Sequence, residues 1–275
     1  MANVTSWINV HDAVLSPTQF TEISWQEIHN ALFTTMRIAI NSVRYGCTEI
    51  FERRYSEEEC LWGLSPSPLL IKKIEEVPVG KALDLGVGEG RNALFLALKG
   101  FHVTGIDVSP KSIEKFLDLA KERGLTVEGL VMDILDFKFS PDAYNLIVAA
   151  NTLHFLKKEE VYEITSNIIR SIAPGGYVYI EDFTVNDPSY QNAKKKLEQI
   201  EENMFYSLKR SSYLYFFPHN ELKEMFKDFE IKVYKEEIII DTGHGESGPH
   251  EHGVAVLFAK IVDDARMKQK LTSEP

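Results

Sequence analysis

The sequence predicts a doubly wound α/β fold, a mostly parallel sheet covered by helices on both faces. Short, nearly all-apolar runs recur at Ala82 to Leu85, Phe101 to Asp107, Val127 to Met132, Tyr144 to Ala149 and Tyr177 to Glu181. Amphipathic segments of helical length separate most of them, which is the signature of parallel strands joined by crossover helices. Glycines end the segments where helices must stop: Gly100, Gly124 and the Pro174-Gly175-Gly176 turn.

Taken in order, Ser24 is placed to cap a helix from Trp25 to about Val43, with Ile28, Leu32, Phe33, Met36, Ile40 and Val43 on one face. Arg53 to Cys60 is charged, Leu61 to Pro68 reads as a loop, and Leu69 to Glu76 as a helix stopped near Pro78. Residues 1–78 therefore read as an N-terminal helical cap, 79–262 as the main domain and 263–275 as a polar tail. Within the main domain, helices are expected over Arg91 to Lys99, from Ser109-Pro110 to about Arg123, and over Lys157 to Ile172. The charged stretch Asp187 to Leu208 is expected to be helical, with a further helix over His219 to Phe229. Glu230 to Ile240 and Gly253 to Ile261 read as two closing strands.

Bulk composition narrows the function. A hydrophobic share of 44% supports a large buried core, and a net charge of −11 argues against nucleic acid or an anionic membrane as partner. Two cysteines, Cys47 and Cys60, are too few for a disulfide framework or a thiolate zinc cage. Met1 to Val10 has no basic or apolar leader pattern, and no apolar run reaches the ~18 residues of a membrane span. The expected location is cytoplasmic. Composition does not indicate the oligomeric state.

The chemistry concentrates after the first strand, in Asp84-Leu85-Gly86-Val87-Gly88-Glu89-Gly90-Arg91. A glycine turn between a strand and a helix lets the backbone approach a ligand and aims helix N–H groups at it. Dinucleotide sites use G-x-G-x-x-G. Here the third glycine comes one residue early, at Gly90, and Arg91 holds the dinucleotide position. The second strand ends on Asp107, which can accept hydrogen bonds from ribose hydroxyls.

This spacing, with Asp84 upstream and Asp107 in register, resembles motif I of the class I S-adenosylmethionine-dependent methyltransferases. Tyr55, Trp62-Gly63, Pro66-Ser67 and the Arg91-Asn92 pair narrow the resemblance to the tellurite-resistance and thiopurine methyltransferase branch. The resemblance implies a Rossmann-like seven-stranded sheet of order 3-2-1-4-5-7-6 with strand 7 antiparallel. It implies S-adenosylmethionine as cofactor, held by Asp84, Gly86, Gly88, Arg91, Asp107 with Val108, Asp133 with Ile134 at the adenine, and Asn151. It also implies a small-molecule methyl acceptor and an aromatic N-terminal segment folded over the donor.

Methyl transfer from a sulfonium is an in-line displacement in which the protein positions the reactants and excludes water. A soft anion such as a thiolate needs little general-base help, whereas a hydroxyl or protonated amine needs a base. The candidate base is His154, just past the fourth strand; the alternative is a helix cap. Arg91 either neutralises a carboxylate or sits in solvent. Tyr55, Trp62, Phe155 and His244 are the candidate pocket residues, against ordinary packing for the aromatics. His244, His250 and His252 are possible metal ligands, but a Gly-rich loop favours plain surface histidines, and no metal is expected. Tyr213, Tyr215, Phe216 and Phe217 either line an apolar pocket or pack a helix onto the sheet, with packing favoured. Two other readings stand behind methyl transfer: a non-catalytic nucleotide-binding or interaction protein on the same fold, and an NAD-dependent oxidoreductase, which Arg91 disfavours.

Overall fold

The computed structural model describes residues 48–58, 60–241 and 248–262. The expected helix from Trp25, the tail from residue 263 and His244 lie outside the described residues. All described residues fall in one compact unit, Val43–Pro275.

Helical residues 48–57 (α1) and Pro68–Lys73 (α2), continued by a 3₁₀ turn at Ile74–Glu76, precede the sheet. The alternating elements follow: β1 (Lys81–Leu85), α3 (Arg91–Leu98), β2 (His102–Asp107), α4 (Pro110–Glu122), β3 (Val127–Val131), β4 (Tyr144–Ala150), α5 (Lys158–Ser171) and β5 (Ile172–Phe183). Ser109 caps α4 by accepting the Ser112 N–H, with Pro110 at the first helical position. Gly100 and Gly124 take left-handed φ values of 89° and 66° just past α3 and α4, where glycine ends a helix without steric cost.

The chain closes with β9 (Glu230–Asp241) and β10 (His250–Lys260), and the sheet order is β3-β2-β1-β4-β5-β10-β9. The first five strands are parallel, and β10 runs antiparallel between β5 and β9. This is the expected seven-stranded order.

Alternation along each strand divides the core. Leu83, Leu85, Ile147, Ala149, Val178 and Ile180 pack with Ile164 and Ile168 of α5 on one face. Ala82, Val103, Leu146, Val148 and Tyr179 pack with Leu94 and Phe116 of α3 and α4 on the other. β5 runs longer than the Tyr177 to Glu181 expectation. Its pairing with β4 skips from Tyr144↔Ile172 to Leu146↔Tyr177, so the Pro-Gly-Gly turn is an excursion within the strand.

One expectation fails outright. The segment from Asp187 to Leu208 is not a single helix. α6 (Pro188–Lys196) is capped by Asp187, and the chain then forms a three-stranded antiparallel sheet of β6 (Glu198–Glu201), β7 (Met204–Ser207) and β8 (Ser212–Tyr215). Asn203 and Ser211, at φ of 60° and 46°, make the turns between these strands. Tyr206 and Tyr213 form a cross-strand aromatic pair with ring centroids 5.3 Å apart. The aromatic, β-favouring residues outweigh the helix signal of the charged run before them. The helix expected over His219 to Phe229 shrinks to α7 (Glu221–Met225), entered through Asn220 at φ 62°. Tyr215 and Phe217 are fully buried in the α5-side core, and Phe216 packs with Phe205 and Ala193 on the small sheet. These aromatics hold the fold together.

Candidate functional site

The turn after β1 is built from three left-handed glycines, Gly86, Gly88 and Gly90, at φ of 70°, 54° and 88°. Each also faces an obstacle. A Cβ on Gly86 would lie 2.2 Å from Thr152 Oγ1, one on Gly88 3.0 Å from the Tyr55 hydroxyl, and one on Gly90 2.3 Å from the Phe116 ring. Gly90 therefore serves the close packing of the turn and α3 against Phe116 of α4. Gly86 and Gly88 keep the turn close to β4 and α1.

Asp107 ends β2 beside this turn. Its Oδ2 accepts the Gly88 N–H at 3.0 Å and its Oδ1 the Ser109 N–H at 2.9 Å. Burial pushes its carboxyl above the usual range, while donors at Ser109, Gly88, Ser112 and Val108 pull it back. The end of β3 is tied in by Met132 N–H to the Asp107 carbonyl at 2.8 Å. Asp133 accepts the Leu135 N–H at 2.9 Å in a tight turn, and the neighbouring Ile134 is buried in the α5-side core.

Asp84, on β1, is fully buried, and burial pushes its carboxyl up to about 7 against the pull of Arg91 and the Ala93 N–H. Arg91, at the start of α3, is not a free surface arginine. Its Nη2 lies 3.8 Å from Glu181 Oε1, and Glu181 also accepts the Tyr179 hydroxyl. Asn151 takes a left-handed φ of 55° at the end of β4, donates its N–H to the Glu181 carbonyl at 2.7 Å, and buries an Oδ1 that has no protein hydrogen-bond partner.

A strap of residues 48–58 and 60–67 lies over the turn. Glu89 is buried, and its carboxylate accepts the N–H groups of Leu61 at 2.8 Å and Trp62 at 3.3 Å and the Lys115 ammonium at 2.9 Å. Glu52 of α1 accepts the Ser109 hydroxyl at 2.6 Å and the Lys111 N–H at 3.0 Å. Tyr55 is buried against Gly88 and accepts the Trp62 indole N–H at 2.9 Å, while Arg54 stacks over the Trp62 ring at 4.7 Å. Burial, with the Asp107 carboxylate second, pushes the Tyr55 hydroxyl well above its ordinary range.

The ends of β4 and β5 form the neighbouring wall. Thr152 donates its hydroxyl to the Leu85 carbonyl at 3.0 Å, which joins this wall to the glycine turn. Leu153–Phe155 then forms a 3₁₀ turn. His154 is buried, its Nδ1 2.6 Å from Asp182 Oδ1. Asp182, fully buried, also accepts the N–H groups of Leu153 at 2.7 Å, His154 at 3.2 Å and Phe183 at 2.8 Å. The His154 ring lies 3.9 Å from Phe155 and 4.6 Å from Phe183, centroid to centroid. Phe155 meets Phe51 of the strap edge-on at 5.1 Å. Phe183 also stacks on His252, whose Nδ1 lies 3.0 Å from Asp187 Oδ2, and His250 lies edge-on to His252 at 4.7 Å.

The structure thus brings together Asp84, Gly86, Gly88, Arg91 and Asp107 with Tyr55 and Trp62, and sets His154 and Phe155 beside them. The sequence reading missed Asp182, Glu181, Glu89, Glu52, Thr152 and Phe51. Glu181 and Asp182 had one visible signal: two adjacent acids ending an apolar strand.

Residues 67–189 match the family model described as Tellurite resistance protein TehB. The probable S-adenosyl-L-methionine-dependent methyltransferase TehB of Haemophilus influenzae is 32% identical over 157 residues, 57% of this chain and 48% of that protein. The 2-heptyl-1-hydroxyquinolin-4(1H)-one methyltransferase of Mycobacteroides abscessus is 35% identical over 117 residues, 42% of this chain and 52% of that protein. The crystal structure of TehB from Haemophilus influenzae superposes with a TM-score of 0.55 at 26% identity, covering 71% of this chain and 62% of that one. The chain spans about half the length of the curated relatives it matches. Sequence match, sheet order and glycine turn agree: residues 67–189 are similar to the TehB family model and carry the sheet and turn of a class I methyltransferase fold, and the Haemophilus relative is named as S-adenosyl-L-methionine-dependent.

Proposed function

We propose that this chain transfers a methyl group from S-adenosylmethionine to a small-molecule acceptor by in-line displacement, at the C-terminal edge of β1, β2, β4 and β5. When bound, S-adenosylmethionine supplies a methyl group already activated on a sulfonium. The observation that carries the reading is the Asp107 carboxylate, held by the Gly88 and Ser109 N–H groups beside a turn where no side chain fits. Asn151 Oδ1, buried without a protein partner, offers an acceptor atom of the kind a bound polar ligand satisfies.

In this reading Asp107, with Val108, holds the ribose, and Asp133 with Ile134 lies at the adenine. Asp84 and Arg91 face the donor's ammonium and carboxylate, and Asn151 turns the β4 backbone beneath it. Tyr55 and Trp62 close the turn from above and exclude water. Phe155 and His154 border the acceptor, with His154 as base. Two named relatives are methyltransferases, one of them named for a small hydroxylated heterocycle, which supports a small-molecule acceptor.

Calorimetry with S-adenosylmethionine and S-adenosylhomocysteine tests the reading, and no binding at hundreds of micromolar overturns it. Asp107→Ala is expected to weaken binding about 100-fold or more, two hydrogen bonds to a charged group being worth about 1.5–3 kcal/mol each. Unchanged affinity refutes the ribose assignment.

A further inference from the structure

We infer that the acceptor is a flat apolar molecule bearing an ionisable hydroxyl, such as a phenol, enol or N-hydroxy heterocycle, and that His154 removes its proton with Asp182 as the positioning residue. This rests on the methyl-transfer reading above and names its substrate class.

The first support is the tautomer. The Asp182 carboxylate takes four donors: the three backbone N–H groups of Leu153, His154 and Phe183, and His154 Nδ1 at 2.6 Å. An acceptor facing Nδ1 places the imidazole proton there and leaves Nε2 with its lone pair, the arrangement a general base requires. Asp182 fixes the ring's orientation as well as its tautomer. A mere helix cap needs no such partner.

The second support is location. Thr152, two residues before His154, bonds the Leu85 carbonyl and packs on Gly86. The histidine is thus tied to the glycine turn through one short rigid segment.

The third support is the character of the walls. Phe155 and Phe183 lie against the His154 ring, Phe51 closes on Phe155, and His252, anchored by Asp187, backs Phe183. Flat aromatic walls suit a flat apolar acceptor.

The step balances. Nε2 takes the hydroxyl proton. The oxygen's electron pair forms the O–CH₃ bond as the S–CH₃ bond breaks, and that bond's pair stays on sulfur. The imidazolium then gives its proton to water.

The test uses the full chain and a series of chromogenic nitrophenols and hydroxyquinolines, mixed with the protein and S-adenosylhomocysteine. Bound probe is expected to show the phenolate absorbance below the pH at which it ionises in water, and His154→Gln to lose that band. With S-adenosylmethionine, His154→Gln should lower kcat 10²- to 10⁴-fold for weakly acidic hydroxyls. The loss should shrink as the acceptor's own acidity rises. Asp182→Asn should lower kcat with little change in KM, and both variants should keep donor affinity by calorimetry. Wild-type kcat in both variants overturns the inference, as does methylation confined to thiols, selenite or tellurite. Absent donor binding in the wild type instead overturns the methyl-transfer reading itself, and this inference with it.

Discussion

Replacing Asp84 by Asn should stabilise the protein at alkaline pH while weakening its binding site. Asp84 is buried in β1, and desolvation, only partly offset by Arg91 and the Ala93 N–H, raises its carboxyl from 3.8 to about 7. The sign follows from proton counting. Between about pH 4 and pH 7 the native state holds a proton that the unfolded chain has released, so stability falls as pH rises through that window. Above pH 7 the full penalty is present. A shift of that size is worth ~4 kcal/mol at about 1.4 kcal/mol per unit. Asn mimics the neutral acid and can still accept the Ala93 N–H. Urea denaturation should therefore find the variant more stable by up to ~4 kcal/mol at pH 8, and its advantage at pH 8 should exceed that at pH 5 by about 2–3 kcal/mol. Donor binding adds a second readout. If the donor's ammonium faces Asp84, wild-type affinity should fall as pH drops below 7, by up to about tenfold per unit, and the variant's weaker affinity should stay flat. An equal stability difference at both pH values, or a variant less stable at pH 8, refutes the assignment of a strained carboxyl to Asp84.

Two further substitutions probe the frame of the site. Gly90→Ala should cost about 2–4 kcal/mol in chemical denaturation, since a left-handed φ of 88° and a Cβ 2.3 Å from Phe116 act together. Phe116→Leu in that background should restore part of it, and the absence of any rescue would place the cost elsewhere. Glu89→Gln should cost about 2–3 kcal/mol, because its single amide NH2 must face either the Leu61 and Trp62 N–H groups or the Lys115 ammonium, donor against donor, and the charge paired with Lys115 is lost. Hydrogen exchange at the Leu61 and Trp62 amides should accelerate, and unchanged protection would show that Glu89 does not latch the strap.

The parallel core was legible because the strands are short, nearly all-apolar runs and the helices between them begin or end on local signals, Ser109-Pro110, Gly100 and Gly124 among them. The donor turn was legible because glycine spacing and a strand-ending acid are local signals. The small sheet was not. Met204 to Tyr215 follows a charged helix without a glycine break, and its two turns use Asn203 and Ser211, which announce a left-handed turn only weakly. The role of Gly90 was half legible: its spacing was visible, but its partner Phe116 lies on the next helix. Asp182 was invisible as the partner of His154, since 28 residues separate them and only the β4–β5 pairing brings them together.

Strand β5 places the two adjoining acids Glu181 and Asp182 on opposite faces of the sheet, one toward Arg91 of α3 and one toward His154. Two neighbouring codons thus serve the two halves of the site, and their division of labour depends on strand parity alone. A single-residue insertion or deletion between Tyr177 and Glu181 would turn each carboxylate to the opposite face, away from its present partner. The same change within Ala173 to Gly176 falls in the excursion outside the ladder and leaves Leu146↔Tyr177 onward in step. Drift in the length of this gene should therefore collect before Tyr177 and be purged after it.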